Sequence, residues 1–162
     1  MSLLRRFVRQ DVARFHALGI RIRLIGERSD LPKDIVALFD ESERLTRDNR
    51  AMTLMIAFNY GSRQELTMVM RDLGRQIAAG QLSPEDITPE LVTRHLYTAG
   101  IPEPDLLIRT SGEQRLSNFL LWQCAYSEFV FMEDHWPAFN KQTLERAICE
   151  YIARDRRYGG LK

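Results

Sequence analysis

Asp105 to Phe131 reads DLLIRTSGEQRLSNFLLWQCAYSEFVF, and this stretch decides the fold class. Its first apolar run, Leu106-Leu107-Ile108, lies between Pro104 and the polar cluster Thr110-Ser111-Gly112. A short apolar run bounded by turn residues is the pattern of a buried strand running into a loop. Arg109 falls where the strand ends. Arg115 and Ser117 follow within the loop, just before the apolar segment Phe119 to Trp122, which is expected to open a helix. Two guanidiniums, a hydroxyl and the N–H groups of a helix start would then converge outside the carboxyl end of a strand. That set suits a diphosphate, because arginine offers planar, permanently charged donor forks and a helix N-terminus adds a favourable dipole. Open α/β sheets bind ligands at that end of their strands. By spacing alone, the same letters also describe a surface loop with scattered arginines and a serine helix cap.

Outward from this stretch, helical and extended patterns alternate. Leu4, Phe7, Val8, Val12 and Phe15 recur at helical spacing before Gly19, and Ile20 to Ile25 alternates apolar residues with arginine as a strand does. Pro32 opens a helix whose buried stripe is read as Ile35, Leu38, Phe39 and Leu45. Met52 to Phe58 reads as a buried strand. The turn Asn59-Tyr60-Gly61-Ser62 leads into a helix carrying Leu66, Val69, Met70, Leu73 and Ile77, which ends near Gly80. Ser83-Pro84-Glu85-Asp86 starts a short helical region. After the diagnostic stretch come a strand over Glu128 to Met132 and a last helix from about Lys141 to Arg154. Strand and helix in alternation predict a mostly parallel sheet flanked by helices, the α/β class, as a single domain over residues 1–162.

Composition narrows the function classes. With 44% hydrophobic and 28% charged residues in 162, usage is that of a globular domain with a core. A net charge of +1 gives no field for nucleic acid or an anionic membrane surface. Lys33, Lys141 and Lys162 are the only lysines; the remaining cationic residues, all arginine, fit either anion binding or genome bias. Cys124 and Cys149 lack metal-ligand spacing and read as buried free thiols in a reducing compartment. No apolar run approaches the roughly 20 residues of a membrane span. His16, His95 and His135 are far apart and read as surface or internally satisfied residues.

The motif Ile108-Arg109-Thr110, Gly112-Glu113, Arg115, Ser117-Asn118-Phe119-Leu120-Leu121-Trp122-Gln123, then Tyr126 and Glu128, resembles the signature of the cis-prenyltransferases of the undecaprenyl diphosphate synthase type. Asn59-Tyr60-Gly61 with Arg63, Trp136-Pro137 with Phe139, and Arg156-Arg157-Tyr158-Gly159-Gly160 fall in the family's order. The resemblance implies that Arg109, Arg115, Leu116 and Ser117 bind the diphosphate of isopentenyl diphosphate, with Leu116 offering its backbone. It implies a place near the substrate cleft for Asn59 and Arg63, and association of Glu128 with Mg2+. An ordinary Asn turn with a surface arginine is the alternative for Asn59 and Arg63, and helix-end chemistry explains the Arg156–Gly160 letters equally well. The implied activity is condensation of isopentenyl diphosphate with an allylic diphosphate primer to a polyprenyl diphosphate, a lipid-carrier precursor. The implied setting is a cytoplasmic homodimer, peripheral to the membrane that receives the product.

The family's Asp-Gly-Asn-Gly-Arg-Trp loop, which cradles the allylic diphosphate and whose aspartate works with Mg2+, does not occur in this sequence. The chain is therefore read as the C-terminal portion of such an enzyme, holding the acceptor half-site, with no catalytic residue assigned and no activity expected of it alone. One glutamate does not build a Mg2+ site, since that ion takes several oxygen ligands. The competing reading is a catalytically silent partner subunit that keeps the fold. Such subunits tend to lose the IRT and R-x-S features, which this chain keeps.

Overall fold

Strand and helix alternate over residues 20–95, as the two periodicities require. In this computed structural model, which describes residues 11–29 and 31–154, residues 11–17 are helical and precede strand β1, Ile20–Ile25. Helix α1, Lys33–Thr46, strand β2, Met52–Ala57, and helix α2, Ser62–Ala78, follow. A 3-10 turn at Pro84–Asp86 and helix α3, Pro89–His95, lead to strands β3, Leu106–Arg109, and β4, Glu128–Phe131. A second 3-10 turn, Trp136–Ala138, precedes helix α4, Lys141–Ile152. β1 pairs with β2 in parallel, from Ile20 opposite Met52 to Ile25 opposite Ala57. β3 pairs with β4 in parallel, from Leu106 opposite Glu128 to Arg109 opposite Phe131. The chain is thus α/β, with parallel strands and flanking helices. Its residues group into two compact units, Met1–Ala99 and Gly100–Lys162.

In the first unit, Ile35 and Phe39 of α1 are buried against Val12, Leu24, Leu31, Leu38 and Phe58, with the Phe39 and Phe58 rings edge-on at 5.6 Å. The buried stripe of α1 is Ile35, Phe39, Ser42 and Thr46, while Leu45, expected inside, is 42% exposed. Polar residues face inward because they bond the outer edge of β1. Ile22 N donates to Thr46 Oγ1 at 2.9 Å and Leu24 N to Glu43 Oε1 at 2.7 Å. Asn49 Nδ2 donates to Ile20 O at 2.7 Å. Thr46 Oγ1 in turn donates to Ser42 O at 2.8 Å, and Arg28 Nη2 holds Glu43 Oε2 at 2.9 Å. Unpaired strand N–H groups buried under a helix would be costly, so these side chains take the place of a neighbouring strand.

A similar substitution moves the buried stripe of α2. Ser62, Glu65, Val69 and Leu73 face inward, and Met70, expected inside, is 69% exposed. Glu65, at 1% exposure, accepts from Tyr60 OH at 2.6 Å and from Tyr97 N at 2.7 Å. A buried carboxyl group persists where such hydrogen bonds satisfy it. Arg23 Nη2 and Nη1 donate to Tyr97 O at 2.9 Å and Ala99 O at 3.1 Å, tying β1 to the same segment. The left-handed residue in the turn before α2 is Asn59, at φ 50, and not Gly61, which is extended at φ −153. Asparagine tolerates that region, and its Nδ2 donates to Glu27 O at 3.1 Å. Ile22, Leu24, Phe39 and Ile56 line an apolar cavity of about 20 Å³, room for one or two waters.

In the second unit, Val130 of β4 is 1% exposed, and α4 turns Thr143 and Ala147 inward, while Phe131 is 38% exposed. Asn140 caps α4 by accepting from Thr143 N at 3.1 Å. Cys124 is buried, and burial pushes its thiol above the ordinary range; Cys149, read from sequence as buried, is exposed on α4.

Candidate functional site

Arg109 is the last residue of β3, so its side chain leaves from the carboxyl end of a parallel pair. Beyond it, Met132 N donates to Arg109 O at 2.8 Å, Gly112 N to Met132 O at 2.9 Å and Ser111 N to Asp134 O at 2.9 Å. These bonds shape the loop after β3 on the loop after β4. The backbone reverses at Ser111, φ 70, and Gly112, φ 67. It then curls back over Arg109, whose Nη1 donates to Ser117 Oγ at 3.1 Å and to Arg115 O. Both bonds use one nitrogen of a group with five N–H donors, so donors remain for an anion. The Arg115 guanidinium pairs with Glu113 and is 63% exposed, within reach of a ligand from solvent.

The structure therefore brings Arg109, Arg115 and Ser117 into one loop, as the spacing predicts, and places Leu116 among them with its carbonyl accepting from Phe119 N at 3.1 Å. It corrects the helix expected after Ser117. Ser117, Asn118 and Leu120 have φ of 49, 64 and 46, and residues 117–126 run as successive turns. Left-handed residues do not propagate a right-handed helix, so no helix dipole adds to this site. What the loop offers an anion is therefore two guanidiniums and a hydroxyl.

Glu128 sits elsewhere. It pairs with Leu106, at the opposite end of the strands from Arg109, about 10 Å away at a strand rise of ~3.3 Å per residue. Its Oε2 takes Arg154 Nη1 at 3.0 Å, and this bond, with that from Glu150, raises the guanidinium further above its ordinary value. Among the described residues no group of three or more His, Cys, Asp or Glu is placed to hold a metal. One ion-paired carboxylate does not fit Mg2+, which takes several oxygen ligands.

Asn59 and Arg63 belong to the first unit, at the junction of β2 with α2, and Arg63 is exposed on the first turn of that helix. Arg156, Arg157, Gly159 and Gly160 lie outside the described residues. His16 is exposed. His95 Nδ1–H donates to Leu91 O at 2.9 Å, leaving Nε2 to accept from Gln76 Nε2 at 3.1 Å. His135, also set aside on sequence grounds, lies with Nδ1 3.2 Å from Ser111 Oγ, beside the loop of the site. Its separation of 24 residues from Ser111 carries no motif spacing, so only the fold reveals the contact. Among the described residues no helix is long and apolar enough to cross a membrane.

Several known proteins are similar to this chain. "Isoprenyl transferase 2" of Bradyrhizobium diazoefficiens is 56% identical over 160 residues, covering 99% of this chain. The chain spans 64% of that relative's length. A lavandulyl diphosphate synthase from Lavandula x intermedia, solved in complex with dimethylallyl diphosphate, superposes with a TM-score of 0.94 at 35% identity, over 98% of this chain and 69% of that one. A "probable undecaprenyl diphosphate synthase" from Campylobacter jejuni gives a TM-score of 0.83 at 31% identity, over 98% and 72%. The family described as "Putative undecaprenyl diphosphate synthase" matches residues 1–159. With that match spanning the loop of Arg109, Arg115 and Ser117, the chain belongs to the undecaprenyl diphosphate synthase family.

Proposed function

We propose that this chain supplies the acceptor half-site of a cis-prenyltransferase, binding the diphosphate of isopentenyl diphosphate through Arg109, Arg115, Ser117 and the backbone of Leu116. The observation that carries the reading is the loop that folds Ser117 onto Arg109 at 3.1 Å, at the carboxyl end of β3. The reaction it serves joins isopentenyl diphosphate to an allylic diphosphate. The allylic carbon–oxygen bond breaks, a carbon–carbon bond forms, and diphosphate and a proton are released. In that reaction these residues bind and orient. Two guanidiniums neutralise the acceptor's diphosphate, and the hydroxyl fixes its rotation, so that its double bond is held at one place. Asn59 and Arg63 are proposed for the substrate cleft on the family resemblance alone. Mg2+, which the resemblance implies, would need oxygen ligands beyond Glu128.

Titration calorimetry with isopentenyl diphosphate tests the half-site. Saturable binding that Arg109→Ala removes is the expected result, and no binding by the unaltered chain overturns it. Homodimerisation, also implied by the family, is supported by the stripe of Leu144, Ile148 and Ile152 on α4, 41%, 39% and 71% exposed, at helical spacing. Sedimentation at micromolar concentration is expected to give a dimer or larger assembly. A monomer that persists at high concentration counts against that interface.

A further inference from the structure

Ser111 occupies φ 70, backbone that glycine adopts freely and a serine enters only at a cost. Its neighbour Gly112 follows at φ 67, and a Cβ there would stand 2.7 Å from Glu133 Oε2. The segment Met132 to His135 is thus a mould for this turn. Two of its contacts, Met132 O to Gly112 N and Asp134 O to Ser111 N, are backbone bonds that any residue would supply. Glu133 closes over Gly112, and Asp134 Oδ2 is anchored to Arg146 of α4 at 2.6 Å. The remaining contact is a side-chain bond, His135 Nδ1 to Ser111 Oγ at 3.2 Å, and it reaches the one residue of the turn that is not glycine. Arg115 and Ser117, downstream of it, hang from this turn.

We infer that His135 is a positioning residue of the anion-binding loop, offsetting the left-handed conformation of Ser111 by holding its hydroxyl and thereby setting where Arg115 and Ser117 stand. This rests on the reading of Arg109, Arg115 and Ser117 as a diphosphate site. Nothing in it requires His135 to touch the ligand or to change protonation.

Calorimetric titration of the whole chain with inorganic diphosphate tests it, with thermal unfolding followed for every variant. His135→Leu weakens binding by about threefold to tenfold, the value of one hydrogen bond, while His135→Asn, which still offers a hydrogen-bonding group, stays within about twofold. In a Ser111→Gly background the loss from His135→Leu vanishes, because glycine takes φ 70 without strain and has no hydroxyl to hold. Should His135→Leu fail to fold, Ser111→Ala reads the same bond from its other end and carries the same expected loss. A silent His135→Leu, or an equal loss in the Ser111→Gly background, overturns the role of His135 and leaves the diphosphate site standing. Failure of the unaltered chain to bind diphosphate, or an Arg109→Ala variant that binds as well, overturns the diphosphate site and His135's role with it.

Discussion

Arg109→Ala lowers the affinity for isopentenyl diphosphate by at least about tenfold and up to about a hundredfold. A charge-assisted hydrogen bond is worth roughly 1.5–3 kcal/mol, and each 1.4 kcal/mol is a factor of ten. Arg109 also holds the loop, through Ser117 Oγ at 3.1 Å and the Arg115 carbonyl, so its removal both deletes donors and loosens the others. Arg115→Ala has the smaller effect. In the free protein its guanidinium is paired with Glu113, and a ligand must displace that exposed pair, which costs about 0–1 kcal/mol. Arg109→Lys does not restore binding, because a point charge cannot span Ser117, the Arg115 carbonyl and a ligand at once. In a chain that also binds the allylic primer, both alanine variants should raise the requirement for isopentenyl diphosphate and leave primer affinity little changed. Equal losses for the two substrates would mean that these residues support the fold and not the acceptor.

Gly26→Ala disrupts the first unit more than any other single methyl considered. Gly26 follows β1 at φ 126, and a Cβ there would lie 2.0 Å from Phe58 O, a backbone atom that cannot swing aside as a side chain would. Phe58 is itself tied down, donating from N to Ile25 O at 3.0 Å, and Glu27 N donates to Asn59 O at 3.1 Å. Relieving the overlap means breaking the exit of the β1–β2 pair, while the left-handed backbone adds roughly 1–2 kcal/mol for any L side chain. A loss of more than about 3 kcal/mol is expected, which is in the exceptional range for one substitution. Chemical denaturation measures it. Gly80, also at positive φ (68) but with nothing within 4 Å of a built Cβ, is the control and should lose only the conformational part. Equal losses at both positions would show that the close approach of Phe58 is not the cause.

Outside the segment after Ser117, strand and helix identities were legible because they rest on period. Ile20–Ile25 and Met52–Ala57 pair over six residues each, close to the spans that alternation and apolar runs predict. Which face of a helix turns inward was less legible. Counting apolar residues places Leu45 and Met70 inside, yet Thr46 and Glu65 are buried, because strand edges and loop N–H groups need partners that leucine and methionine lack. At the candidate site, the grouping of Arg109, Arg115 and Ser117 was readable, since they lie close together in the sequence. Backbone conformation was not. Phe119-Leu120-Leu121-Trp122 has helical composition, and only the left-handed φ at Ser117, Asn118 and Leu120 reveals that the chain turns there instead. Contacts such as Ser111 with His135, and Glu128 with Arg154 at 3.0 Å, join residues too far apart for spacing to report.

The side chains that bond the outer edge of β1 also limit what the β1–β2 sheet can become. A sheet with two open edges can polymerise, each copy offering one edge to the next, as in fibrils. Here Ile20, Ile22 and Leu24 already spend their outward groups on Asn49, Thr46 and Glu43, with Arg28 bracing the glutamate. Among the described residues, β2 pairs only with β1 in this sheet. At the β1 edge, therefore, an incoming strand finds these groups already taken. Thr46, Glu43 and Asn49 thus act as a chain terminator for the sheet on that side.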